Sequence, residues 1–215
     1  MLKAPENRDC YVFSNNPGLE QAAIDAGWKF IFVDVPLSDD SAESSFQTKY
    51  VKFLQFLNDP KYSYFKKYDR IIIADHKIEL QDKHINQIIE VQNKPILIRD
   101  YPDVRNNIFE EAALSFLQER YRRFGSQTMH YLWRKLNEGY EEDCKGRPVC
   151  WTSLISYCPG DPKVKQFLDE LYADLTHIGT SQCQIVWFMV SQKYTDIIQI
   201  IPRKDIAPEW HLDTM

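Results

Sequence analysis

The sequence predicts an α/β domain built on a mixed, mainly parallel central sheet flanked by helices. Three observations lead to that class. The first 36 residues run apolar segment, polar loop, helical pattern, apolar segment, which is a β-α-β unit. Ile71 to Ala74 is a short β-branched run without alternation, the signature of a central strand buried on both faces. The second half is dominated by apolar residues at helical spacing, with strand-like runs between them.

Each element has its own local signal. Cys10 to Phe13 reads as a strand leading into the polar loop Ser14-Asn15-Asn16, where Asn16 caps a helix that Pro17 starts and Gly27 ends. Phe30 to Val35 is a second strand, stopped by Pro36. Phe46, Tyr50, Phe53, Leu54 and Leu57 predict an amphipathic helix that Asn58-Asp59-Pro60 terminates. After the Ile71 strand come a helix carrying Ile85, Ile88 and Ile89, and a strand from Pro95 to Ile98. Asn107 with Glu110 resembles a capping box, and the helix it opens runs through Phe116 and Tyr121 to a C-cap at Gly125. A further helix reaches Gly139, Val149 to Tyr157 is a strand, and Asp161-Pro162 opens a helix through Leu175. Gln184 to Tyr194 is a last helix, and Ile197 to Ile201 a late strand closed by Pro202. Without a repeat or a linker, one domain is the simplest organisation.

Composition narrows the function classes. Hydrophobic residues are 44% and aromatic residues 13%, enough for a sizeable core, and 27% charged residues with a net charge of −5 exclude a disordered chain. The acidic balance argues against general nucleic-acid binding, and Arg120, Arg122 and Arg123 read as the wet side of a helix. Five cysteines with no CxxC pair suit reduced thiols in the cytoplasm better than a zinc site or disulfides. The start, MLKAPENRDC, lacks a signal peptide's apolar core, and no apolar run is long enough to span a bilayer. The expected location is therefore cytoplasmic, not secreted. The final EWHLDTM carries no helix stop, which suggests one domain of a longer polypeptide.

The chemistry concentrates at Asp75-His76-Lys77. At the carboxyl end of a central strand, where open α/β sheets place ligands, a carboxylate and an imidazole suit a metal ion and the phosphates it bridges. The plainer alternative is a strand ending in a solvated turn. The loop Ser14-Asn15-Asn16 presents backbone N–H groups to an anion or nucleotide, although neither GxGxxG nor GxxxxGK is present. Asp34, near the end of the second strand, is either an acceptor for a base or a turn residue. His84, His130 and His177 read as ordinary packed or surface histidines. Trp133, Trp151 and Trp187 read as core, with Trp151 placed where an acceptor sugar could lean.

The order of these features resembles a glycosyltransferase of the GT-A fold. FQTKYVKFL is similar to the Arg/Lys-bearing helix before that family's metal-binding strand, YDRIIIADHKIEL to the strand ending in its DxD-type motif, DVRNNIFEEA to a segment of small capsule-type enzymes, and CQIVWFMVSQK to their Asp-Gln helix. The resemblance extends to a virally encoded, capsid-glycosylating glycosyltransferase domain. It implies a single GT-A-like domain, with a Rossmann-like nucleotide-sugar-binding half over 1–104 and an acceptor-side half over 105–215. It further implies Mn²⁺ or Mg²⁺ on Asp75, His76 and a late His211, a donor such as UDP-glucose, and a glycan or glycoprotein acceptor. Ser14, Asn15, Asn16, Asp34, Lys52, His76, Lys77 and Arg105 would contact the donor, and Asp100 or Asp103 would supply a base beside Asp75, with Glu110 and Glu111 behind. Lys52 reads more readily as a solvated helix lysine, and Arg105 with Glu110 as a pair that caps the following helix. Two departures stand out: His76-Lys77 replaces the second carboxylate, and Cys183-Gln184 replaces Asp-Gln. A nucleotidyltransferase and a non-catalytic nucleotide-binding or assembly domain are the alternatives.

Overall fold

In the computed structural model the N-terminal β-α-β unit forms much as its punctuation dictates. The structure describes residues 1–101, 103, 105–144 and 146–210, with residues 209 and 210 described by backbone alone. Strand β1 (Tyr11–Ser14) lies parallel to β2 (Lys29–Phe32) in a two-stranded sheet. Between them Asn16 caps a 3-10 turn that Pro17 begins, its side-chain oxygen accepting from Gly18 N at 2.9 Å. That turn leads into α1 (Glu20–Asp25), and Gly27 reverses the chain at φ +86°.

Helix α2 (Ser41–Lys52) is capped by Asp40, whose Oδ1 accepts from Ala42 N at 2.8 Å. The apolar periodicity predicts a helix through Leu57, but the helix ends at Lys52 because Leu54 adopts a left-handed backbone, φ +53°. This conformation is costly for a residue with a Cβ. It carries Phe53 and Phe56 into the core, against Trp187 and Phe13 respectively. Two 3-10 turns then deliver the chain to β3 (Ile71–Ala74).

The main sheet has four strands in the order β3, β6 (Cys150–Tyr157), β5 (Ile96–Asp100), β7 (Ile198–Ile201). β6 is antiparallel to both β3 and β5, and β7 is parallel to β5, so β3, β5 and β7 share one direction. The sheet is mixed, as predicted, but it is not mainly parallel, since two of its three pairings are antiparallel, and β3 is not its centre. It is an outer strand of this sheet with all four residues half-buried, whereas the longer β6 is almost wholly buried and takes an inner place. Four apolar residues cannot distinguish an inner strand from an outer one partly covered by loops and helices. After β3, a tight turn leads to β4 (Ile78–Glu79), which pairs antiparallel with β8 (Glu209–Trp210).

Helix α3 (Asp82–Val91) follows β4 and lays Ile88 against Leu97 and Leu154 on one side of the sheet. Gln92 stitches the sheet's lower end, accepting from Ser156 Oγ at 2.6 Å and Arg70 Nε at 3.2 Å while donating to Lys94 and Pro95 carbonyls. Asn107 caps α4 (Ile108–Ser115), accepting from Glu110 N at 3.2 Å. Gly125 does not cap that helix: the chain breaks into α4, α5 (Glu119–Arg122) and α6, and Gly125 is the first residue of α6 (Gly125–Asn137). Asp161 caps α7 (Pro162–Ile178) as its Asp-Pro pair predicts, and Gly179 ends it at φ +73°.

The core lies on the other side of the sheet, around α8 (Cys183–Ser191), whose residues from Ile185 to Ser191 are all buried. Trp187 is completely enclosed and meets Phe167 edge-on at 4.8 Å between ring centroids. Burial of each such large side chain stabilises the fold by about 1.5–3 kcal/mol. Of the tryptophans expected in the core, Trp133 is 57% exposed and is not part of it. Among the described residues no helix is long and apolar enough to cross a membrane.

Candidate functional site

A buried polar cluster forms where β3 ends, and α2 supplies its cations. The ladder continues one residue past β3, Asp75 N donating to Ser153 O at 2.8 Å, and Ile78 N closes the turn on Asp75 O at 2.9 Å. These bonds fix the Asp75 backbone. Its side chain, 34% exposed, accepts the Lys52 ammonium at 2.6 Å. Lys52 itself is only 6% exposed, so the surface-lysine alternative does not hold.

One turn earlier on α2, Lys49 is also 6% exposed. Among the described residues it has neither an ion pair nor a hydrogen bond, whereas a buried ammonium ordinarily has a partner. Burial pushes its pKa below the ordinary lysine value, and after burial the groups acting on it are Cys183, Lys52, Asp75 and Arg120. α5 contributes the last, and Asp40 ties α5 to the start of α2 by accepting Arg123 Nη2 at 2.6 Å. Tyr121 belongs to the same neighbourhood: burial pushes it up to about 12, with Arg120, Cys183, Asp75 and Glu111 acting on it.

The far wall is the start of α8. Cys183, the first residue of α8, has its thiol 3.2 Å from Thr152 Oγ1 on β6. Gln182, the N-cap residue, makes no cap bond. Its amide is held instead by Ser115 Oγ and, at 3.4 Å, by Glu111 Oε1. The neighbouring Ser181 hydroxyl is buried without a hydrogen-bond partner. Glu111, 4% exposed, accepts Arg105 Nε at 3.1 Å; burial nonetheless raises its pKa, with Arg105 opposing.

The remaining predicted residues scatter. Ser14 Oγ accepts from Asn16 N at 3.1 Å, Asn15 donates to Pro36 O at 3.1 Å, and Asn16 is the cap already described. Asp34 is exposed beyond the end of β2, as are His76 in the turn after Asp75 and the side chain of Asp103. Lys77 is half-buried in the same turn as His76. Asp100 caps the 3-10 turn at Arg203, accepting its N–H at 2.7 Å, and that bond occupies one oxygen of a predicted base. Arg105 pairs with Glu111 rather than Glu110, whose carboxylate instead takes Asn106 N at 2.9 Å. His211 lies outside the described residues. Trp151 is covered by cations, with the Arg203 guanidinium 3.9 Å and that of Arg99 5.3 Å from its ring centroid, so it offers a sugar no free platform on that side. A separate groove of about 390 Å³ opens between α6 and α7, lined by His130, Arg134 and His177 among others, and holds none of the predicted site residues.

The donor set does not fit a divalent metal. Among the described residues no group of three His, Cys, Asp or Glu side chains is placed to hold one. More directly, the one carboxylate at the strand tip already holds an ammonium at 2.6 Å, with a second buried lysine and an arginine nearby. A dication there would meet several positive charges with one negative group to offset them. The chemistry of the cluster suits an anion rich in oxygen. The chain matches no protein-family model, and no curated protein sequence matches it.

Proposed function

We propose that this protein is a glycosyltransferase that takes a sugar from a nucleoside-diphosphate sugar, UDP-linked, and passes it to a glycan or glycoprotein acceptor. The observation that carries this reading is the ion pair of buried Lys52 with Asp75 at the end of β3, with Lys49 also buried one turn earlier on α2. Departure of a nucleoside diphosphate develops negative charge on its phosphate oxygens, and fixed ammonium groups in a site shielded from water stabilise that charge strongly. Lys52 and Lys49 would hold the leaving group, and Arg120 would add to the field from α5. Asp75 orients Lys52 and, one-third exposed, is the predicted carboxylate that remains in the cluster to accept a proton from an acceptor hydroxyl. No step is routed through a metal, because the donor set does not suit one.

The order of elements supports the same reading: a parallel β-α-β start, a strand that runs into Asp75, and a mixed sheet in which α8, beginning near that strand's tip, lies between β6 and β7 in the chain. Release of nucleoside diphosphate from a panel of UDP-, GDP- and dTDP-sugars tests it. The wild-type chain should release UDP from at least one donor, and Lys52→Met should abolish release while leaving the protein folded. A second reading, a binding domain without catalysis, is favoured by the ion pair that engages Asp75. Tight UDP binding with no release from any donor, acceptors included, would select it.

A further inference from the structure

We propose that Lys49 and Lys52, with the first turn of α8, form an anion subsite that grips a diphosphate by ammonium groups in place of a divalent cation. The inference rests on the reading of this cluster as a nucleotide-sugar site and specifies how its phosphates are held. Packing alone does not explain why one turn of α2 buries two lysines, since each buried charge loses hydration that only a partner restores. Asp75 serves Lys52, and among the described residues nothing serves Lys49.

The wall opposite has unmet groups of the opposite kind of need. α8 begins inside the protein with no side-chain cap; Cys183 N donates to Ser181 O at 2.9 Å, but among the described residues the N–H groups of Gln184 and Ile185 lack the usual cap acceptor. Ser181, 1% exposed, has a hydroxyl with no hydrogen-bond partner among the described residues, just before that turn. Cys183, the first residue of α8, lies 3.2 Å from Thr152 Oγ1, next to the Ser153 carbonyl that accepts Asp75 N, which brings that helix start towards the Lys52–Asp75 pair. A polyanion with several oxygens would satisfy all three features together, accepting from Lys49, from the Ser181 hydroxyl and from the α8 N–H groups. Lys52 can share such an oxygen while keeping Asp75, because an ammonium has three donors.

Isothermal titration of the full chain with inorganic pyrophosphate and with UDP, in EDTA and then in Mn²⁺, tests the subsite. Both ligands should bind in EDTA, and Mn²⁺ should not be required. Lys49→Met should weaken both by about tenfold or more, while Lys49→Arg should restore part of the loss and Lys66→Met, at an exposed lysine, should change nothing. Binding that appears only with Mn²⁺ would overturn the subsite and leave the glycosyltransferase reading standing. Equal weakening by Lys66→Met would also overturn it, because the attraction would then be diffuse charge. Pyrophosphate binding in EDTA without binding of any nucleoside diphosphate would uphold the subsite and remove the glycosyltransferase. If neither ligand binds in either condition, both fall.

Discussion

Replacing Lys49 with methionine should make the protein more stable and its diphosphate site worse. Methionine keeps the length of the side chain and removes the charge of a residue that is only 6% exposed and has no ion pair or hydrogen bond among the described residues. Exchanging buried charges for apolar residues of similar size is typically neutral to stabilising by a few kcal/mol. Here Asp75 offsets part of the cost, whereas Lys52 and Arg120 add to it. A gain of about 1–3 kcal/mol follows, or roughly 2–10 °C in Tm for a chain of this size. The gain has a defined pH dependence. A lysine whose folded pKa lies below its ordinary 10.5 destabilises the fold most where it is charged in both states, below the folded value. The advantage of Lys49→Met should therefore be fullest at acidic pH and narrow as the pH rises through the folded pKa towards 10.5. Urea denaturation followed by circular dichroism across that range, alongside the pyrophosphate titration, measures both halves. A variant less stable than wild type at acidic pH would refute the reasoning, because the ammonium would then have to be satisfied in the ligand-free protein.

Other substitutions test the frame that holds the cluster. Glu111→Gln should flatten the pH profile of stability: with its folded pKa raised above 4.5, Glu111 contributes stability that is full below that value and is lost as pH rises through the folded pKa, so wild type should fall relative to the variant over that interval in denaturant titrations. Trp187→Ala empties the centre of the core and should cost about 3–5 kcal/mol, enough that a folded yield close to wild type would contradict the packing described. Asp161→Ala removes the bonds to Lys163 N at 2.7 Å and Val164 N at 3.3 Å that start α7. It should cost about 1 kcal/mol and lower Tm by roughly 2–4 °C in a thermal scan, with no effect on ligand binding.

What could be read from the sequence was local. Asn16-Pro17, Gly27, Asn107 and Asp161-Pro162 each mark a helix end by a side-chain bond or a backbone conformation that needs no tertiary partner, and each stands where it was expected. Strand order is not local, so β3 could be recognised as a strand but not as an outer one. Leu54 breaks α2 with a backbone that glycine or asparagine would have announced and leucine conceals. At the site, Asp75 and Lys52 were legible and do meet. Lys49 was missed although a signal existed: it lies in the same apolar stripe as Phe46 and Phe53, where a lysine is out of place unless it has work inside. Glu111 was overshadowed by Glu110, because which of two adjacent helical carboxylates turns inwards depends on the phase of α4 against α8.

The charge balance of the cluster opposes that of the chain, and this opposition bears on mechanism. The protein carries a net −5, yet at the end of β3 Lys49, Lys52 and Arg120 face a single carboxylate, since Glu111 is committed to Arg105. A group of cations at one place in an acidic protein attracts polyanions there, and low-dielectric surroundings strengthen the field. The same arrangement explains why a lysine can stand where a second metal-binding carboxylate would be expected after Asp75. Once ammonium groups supply the positive charge, a further acid would only neutralise them. The histidine and lysine that follow Asp75, neither of which adds negative charge at neutral pH, are then consistent with the site rather than defects in it.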